Sequence, residues 1–220
     1  MRYAKVVVAL MMLLLVPCSA RADLFTLQLD NNFSPAEARK VQVALEFGRS
    51  VFPEFETMFA DGRINIRLIK VDEKTQLLAG VTDAGLTRVA RADAVLRART
   101  TACGLEVELY LSSKVFQDNR SIFDLTHEFY HVWQKWVESK KSGRLDPSFE
   151  AWAKSEVEAS QALIKRIPAA VDAQDFSWTA IESIETRDVF RARLSQQLKE
   201  EANRARIWQN VLTEPRTTAR

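Results

Sequence analysis

The sequence predicts an α+β fold in which a small mixed sheet comes first and helices follow. Two alternating apolar segments, residues 63–71 and 105–111, read as half-buried strands, and from Ser121 onward apolar residues recur at helical spacing almost to the end. No linker-like stretch and no repeat period divides the chain. The reading is therefore one domain over residues 23–220: residues 23–112 mainly sheet, residues 113–167 a helix pair, and residues 168–220 a helical C-terminal part. With 220 residues, 47% of them hydrophobic and 27% charged, the chain can bury a sizeable core.

Residues 1–22 read as a removable signal peptide. Arg2 and Lys5 form a basic start, Val6 to Val16 is an apolar run too short to span a bilayer comfortably, and Ala20-Arg21-Ala22 is a small-x-small cleavage site. Cys18 could suggest a lipid anchor, but Val16-Pro17 before it fits such a site poorly. The expectation is an exported protein, periplasmic or secreted, with no stable membrane insertion after cleavage. Loss of Arg2, Lys5 and Arg21 takes the 31 Lys+Arg to 28, against 29 Asp+Glu. A nearly neutral chain lacks the electrostatic basis for binding nucleic acid or an anionic membrane as its main partner. One cysteine, Cys103, remains, and is expected to be a quiet buried thiol in a chain without a disulfide.

The elements follow in order. Ser34-Pro35-Ala36-Glu37 is a helix start, with serine as cap, proline at the first helical position and glutamate closing a capping box. This helix should run to about Phe47. In the strand over 63–71, Ile64, Ile66 and Leu68 face one way and Asn65, Arg67 and Ile69 the other. Gly80 and Gly85 mark turns, and residues 87–101 suit strands or a helix, with strands preferred. Leu105, Val107, Leu109 and Leu111 line one side of the next strand, which can be a core strand or an edge that pairs with an extended peptide. Ser121 with Asp124 can cap a helix that continues through Lys140 and stops at Gly143. Asp146-Pro147 opens another, expected to end near Ile167 before Pro168. A last amphipathic helix spans about Thr186 to Leu212, able to pack on the preceding helices or to mediate dimerisation.

His127-Glu128-Phe129-Tyr130-His131 lies in the middle of the first of these C-terminal helices. Residues four apart share a helix face, so both imidazoles can reach one metal ion. Glu128 stands beside the first of them, where it can take a proton from water at the metal. Both histidines of the chain belong to this motif, which weighs against a pair of ordinary surface residues. Two ring nitrogens suit zinc, and zinc wants a third protein ligand. Gln134 and Val137 exclude the longer motif with a third histidine. The remaining choices are Cys103, remote in character, and Glu150, Glu156 or Glu158 on the following helix.

Helix geometry discriminates among the carboxylates. From His131 to Gly143 the chain travels about 18 Å at 1.5 Å per residue, so an antiparallel helix starting near Pro147 draws level with the histidines around residues 156–161. Glu150 is too near the turn. Glu156 and Glu158 point roughly 200° apart. Glu156 shares a face with Trp152, Ala153, Ala159, Ser160 and Leu163, and Glu158 with Lys154, Ser155, Gln161 and Lys165. A carboxylate on an apolar face needs a partner, which selects Glu156 and leaves Glu158 a solvated charge.

His127-Glu128-x-x-His131 followed by Glu156-x-x-Ala159 resembles the gluzincin pattern of zinc metallopeptidases. His131-Val132-Trp133-Gln134 is similar to the continuation in several bacterial metallopeptidase domains. The resemblance covers residues 121–167 well and the sheet only in outline. It implies a zincin-like fold, zinc held by His127, His131 and Glu156, and Glu128 as general base. One departure stands out: where thermolysin-like relatives often carry an acid that orients a histidine, four residues after the ligand glutamate, this chain has Ser160.

The resulting expectation is an exported zinc-dependent hydrolase acting on peptide or protein substrates. The competing reading is a catalytically silent, zinc-stabilised binding or assembly protein on the same scaffold; a metal-free helical protein is a third. Tyr110 and Tyr130 are the available tyrosines for an oxyanion donor, each better explained by packing. Trp133, Trp136, Trp152, Trp178 and Trp208, with Phe116, Phe123 and Phe129, read as core or helix-packing residues. Arg88, Arg91, Arg97 and Arg99, interrupted by Asp93, read as a solvated basic face.

Overall fold

The computed structural model describes residues 26–61, 63–72, 78–83, 86–91, 93–117, 121–173 and 178–213. The expected signal peptide and Gly85 lie outside the described residues. In chain order the elements are β1 (Thr26–Leu29), α1 (Pro35–Val51), α2 (Glu54–Ala60), β2 (Ile64–Val71), β3 (Leu78–Asp83), β4 (Leu86–Arg91), β5 (Ala94–Thr101), β6 (Gly104–Ser112), α3 (Lys114–Gln117), α4 (Ser121–Ser142), α5 (Phe149–Ala173), α6 (Trp178–Glu182) and α7 (Arg187–Thr213). The fold is α+β. No helix of the described residues is long and apolar enough to cross a membrane.

The sheet has the order β1-β2-β6-β5, with β1, β2 and β6 parallel and β5 antiparallel to β6. Ile64, Ile66 and Leu68 of β2 and Leu105, Val107, Leu109 and Leu111 of β6 are all buried, as their alternation requires. β6 lies between two partners. The expectation that it could be a free edge is thus corrected: alternation shows that one face is buried and says nothing about how many neighbours a strand has. Residues 87–91 and 94–101 are strands, as preferred. Gly80, expected to mark a turn, instead pairs with Val89 inside the separate β3-β4 hairpin. Ala102 and Cys103 form the tight turn from β5 to β6, and Gly104 follows at φ +127°. A Cβ there would stand 2.1 Å from the Arg63 carbonyl oxygen, which itself accepts from Leu105 N at 2.8 Å. Cys103 is exposed at this turn and disulfide-bonded, not the quiet buried thiol expected; sequence spacing carries no information on a thiol's exposure. The expectation of a chain without a disulfide is corrected with it: that expectation rested on removal of residues 1–22, which hold the other cysteine, Cys18.

The capping box of α1 forms in full. Glu37 N donates to Ser34 Oγ at 3.3 Å, and Ser34 N donates to Glu37 Oε2 at 2.8 Å. The helix outlasts its expected end by a turn because Phe47, Gly48 and Val51 stay buried. Gly48 allows close packing, with a would-be Cβ 3.2 Å from the Phe55 ring and 3.7 Å from Thr126.

α4 lies against α1 and on β5 and β6, while α5 pairs with α7. Phe47, Phe123, Phe190 and Trp178 join these layers through ring contacts at 5.3–6.0 Å between centroids. Further helix ends differ from expectation. Ser121 is already helical, and its buried hydroxyl has no hydrogen-bond partner among the described residues, so it does not act as the cap. α5 runs through Pro168 to Ala173, beyond the expected end near Ile167. The lost backbone hydrogen bond is tolerated because Ile167, Ala170 and Val171 continue its buried face.

Candidate metal centre

The turn at Gly143 (φ +67°) reverses the chain after α4. Ser148 restarts it as α5, accepting from Ala151 N at 3.1 Å through its hydroxyl. The two helices bring His127, His131 and Glu156 together. The two Nε2 atoms are 3.0 Å apart. Glu156 Oε2 lies 3.5 Å from His127 Nε2, and Glu156 Oε1 lies 3.5 Å from His131 Nε2. His127 is 1% exposed and His131 8%. These three residues form a buried cluster whose donor atoms all lie within 4.8 Å of one another, and it could hold a metal ion.

Hydrogen bonding determines which ring nitrogens face inward. Gln134 Nε2 donates to Ser155 O at 3.2 Å and to Glu158 Oε2 at 3.1 Å, so Gln134 Oε1 faces His131 Nδ1 as an acceptor at 2.8 Å. His131 therefore carries its proton on Nδ1 and presents a lone pair at Nε2. His127 Nδ1 faces Glu201 Oε2 of α7 at 3.2 Å, a charge contact lacking good hydrogen-bond alignment. Two imidazole nitrogens and a carboxylate thus converge with no donor supplied by the protein between them. A proton or a cation must fill that place.

The electrostatics agree. Burial pulls the His127 imidazole down, but Glu201 and Glu156 outweigh it and hold it at about 9. Burial pushes the Glu156 carboxyl up, but His131 and His127 hold it well below the usual carboxylate range. Glu128 keeps a minor part of its surface exposed; burial raises its carboxyl, opposed by His131 and His127. Asp124, one turn earlier on α4, is lifted by burial to about 6, with Arg204 opposing.

Among the expected residues, Glu158 is exposed and engages only the outer side of Gln134, while Glu150 pairs with Lys154 at 2.7 Å. Neither tyrosine belongs to the cluster. Tyr130 packs on Phe52, Phe55 and Trp133, and Tyr110 donates to Glu108 at 2.7 Å. Arg97 and Arg99 are exposed, as expected of a solvated face; the side chains of Arg88 and Arg91 lie outside the described residues.

Four neighbours of the cluster escaped the sequence reading: Gln134, Trp152, Glu201 and Arg204. Trp152, expected to be a packing residue, also donates through its Nε1 to Glu156 Oε1 at 3.1 Å. Glu201 could have been found by the reasoning that selected Glu156. Phe190, Leu194, Gln197, Glu201 and Ala205 share the buried face of α7, which places a carboxylate on an enclosed stripe. No family model matches the sequence, and neither a curated protein nor a solved structure matches the chain.

Proposed function

We propose that the protein is an exported zinc metallopeptidase of gluzincin type with a zincin-like fold, holding zinc through His127, His131 and Glu156. The observation that carries this reading is the convergence of His127 Nε2, His131 Nε2 and the Glu156 carboxylate: the nitrogens are 3.0 Å apart, and each lies 3.5 Å from a different oxygen of Glu156. Ligands about 2.1 Å from a tetrahedral zinc ion stand about 3.4 Å apart, close to these separations, and three protein ligands would leave the fourth position open. Nitrogen and carboxylate donors suit zinc better than they suit calcium or magnesium.

A zinc ion in such a site supplies Lewis acidity toward a carbonyl and acidifies water. Glu128 supplies the base. Its carboxylate takes the proton of the attacking water as the new carbon–oxygen bond forms, and returns it to the amine nitrogen as the carbon–nitrogen bond breaks. Burial raises its proton affinity toward that of a working base. Among the described residues β5 is the edge of the four-stranded sheet against which α4 packs, so it replaces β6 as the strand able to pair with an extended substrate. The basic start and apolar run of residues 1–22 support export, with or without removal of the segment.

The competing reading, a silent zinc-stabilised scaffold, draws support from serine rather than an acid at position 160; Glu201 Oε2, 3.2 Å from His127 Nδ1, weakens that support. The test joins metal content to turnover in the purified protein and in Glu128→Gln, both assayed against a mixed peptide library. About one zinc per chain in both, with cleavage by the wild type alone and a loss of at least a hundredfold in the variant, is the expected result. Zinc in both and cleavage in neither favours the scaffold. Absence of zinc from both removes the central claim.

A further inference from the structure

We propose that Glu201 of α7 is the positioning carboxylate of the metal centre, holding His127 with its proton on Nδ1 and its Nε2 bare toward the metal. This makes the C-terminal helix part of the site. The inference rests on the zinc reading above and extends it to a residue 74 positions from the histidine that it orients.

Three observations support it. The first is reach: Glu201 Oε2 lies 3.2 Å from His127 Nδ1, on the opposite side of the ring from the Nε2 that faces Glu156. The second is that the carboxylate is itself held. Arg204 Nη1 lies 3.2 Å from Glu201 Oε1, one turn along the same helix, and the Ser160 hydroxyl of α5 faces the same carboxylate. The third is burial. Glu201 is 2% exposed, on the face that α7 packs against α5. A carboxylate sealed from water needs charge partners on both oxygens, and here one is the ligand histidine and the other an arginine.

The two histidines are thus oriented differently. Gln134, three residues after His131 on the same helix, holds His131 by a local contact. His127 has no such neighbour on α4, and depends on a carboxylate brought by the fold. An outer partner of this kind selects the tautomer, fixes the ring plane and strengthens the nitrogen as a donor. Serine at position 160 cannot do this alone, because a hydroxyl carries no charge. It lies beside Glu201 without replacing its charge.

The test measures zinc affinity in the full chain, by competition with a chromophoric chelator, for the wild type, for Glu201→Gln and for the double variant Glu201→Gln/Arg204→Gln. The double variant keeps the interior charge balanced, so it folds even where the single change leaves Arg204 unpaired. Imidazole nitrogen resonances of the zinc-saturated proteins report the environment of the His127 Nδ1 proton. Expected are a zinc affinity ten- to a hundredfold weaker in both variants and a shifted His127 Nδ1 resonance, with His131 unchanged. A purely structural role for Glu201 would lower the melting temperature but leave the affinity of the folded protein and the Nδ1 resonance intact, and that result overturns the proposal. Failure of the wild type to bind zinc overturns the metal reading itself, and this proposal with it.

Discussion

His127 connects the chemistry of the centre to pH. Burial alone would lower its pKa, yet Glu201 and Glu156 hold it at about 9 in the metal-free protein. Near neutral pH the imidazole therefore carries the proton that a metal ion must displace. Zinc affinity should rise about tenfold per pH unit up to pH 9, with about one proton released per ion bound. Calorimetry in buffers of differing ionisation heat checks this, and an affinity flat from pH 6.5 to 8.5 would contradict it. The same shift sets the stability of the metal-free fold. A folded pKa above the ordinary 6.5 stabilises fully below pH 6.5, and the contribution disappears as pH rises through about 9. Glu156 and Glu201 act in the opposite sense: their depressed pKa values stabilise above pH 4.5, and that contribution fades on acidification.

At the scale of elements, two glycines with positive φ differ in what surrounds them. Gly104 (φ +127°) starts β6 against the Arg63 carbonyl, whereas Gly143 (φ +67°) ends α4 with nothing within 4 Å of a would-be Cβ. Alanine at 143 should cost about 1 kcal/mol, the left-handed penalty alone. Alanine at 104 should cost about 3 kcal/mol, because strain and a backbone clash add, and should lower the melting temperature by about 6–12 °C. Thermal melts of Gly104→Ala and Gly143→Ala give the comparison; equal losses would mean that the β5-β6 turn yields more easily than its contacts suggest. Several elements were legible locally, since the Ser34 capping box, the alternation of β2 and β6 and the Gly143 stop are each written within a few residues. α2 and α6, at 7 and 5 residues, are too short for periodicity to declare them. The passage of α5 through Pro168 was hidden because its cause is packing on other elements.

For the molecule as a whole, the proposed centre ties together α4, α5 and, through Glu201, α7. A metal ion that binds only this arrangement stabilises the fold by mass action, by about 2.7 kcal/mol at a hundred times its dissociation constant. Zinc should therefore raise the melting temperature by about 5–10 °C, and a chelator should reverse it. His127→Ala should abolish the response while the metal-free protein still melts cooperatively. A melting temperature indifferent to zinc and chelator would count against the site.

The sequence by itself determined the α+β division, the helix that carries His127, Glu128 and His131, and the choice of Glu156 over Glu158. Each of these depends on a helical or strand period, or on a turn length, and such quantities are local and additive along the chain. The tertiary structure alone decided that β6 is interior, that Cys103 is exposed and that Glu201 and Arg204 stand behind His127. Strand neighbours and partners 74 residues apart are products of how the layers close on one another, and one chain's local patterns do not encode that closure. Glu201 lies between these cases. Its buried helix face was readable, but the histidine it meets was set only when α7 packed against α5.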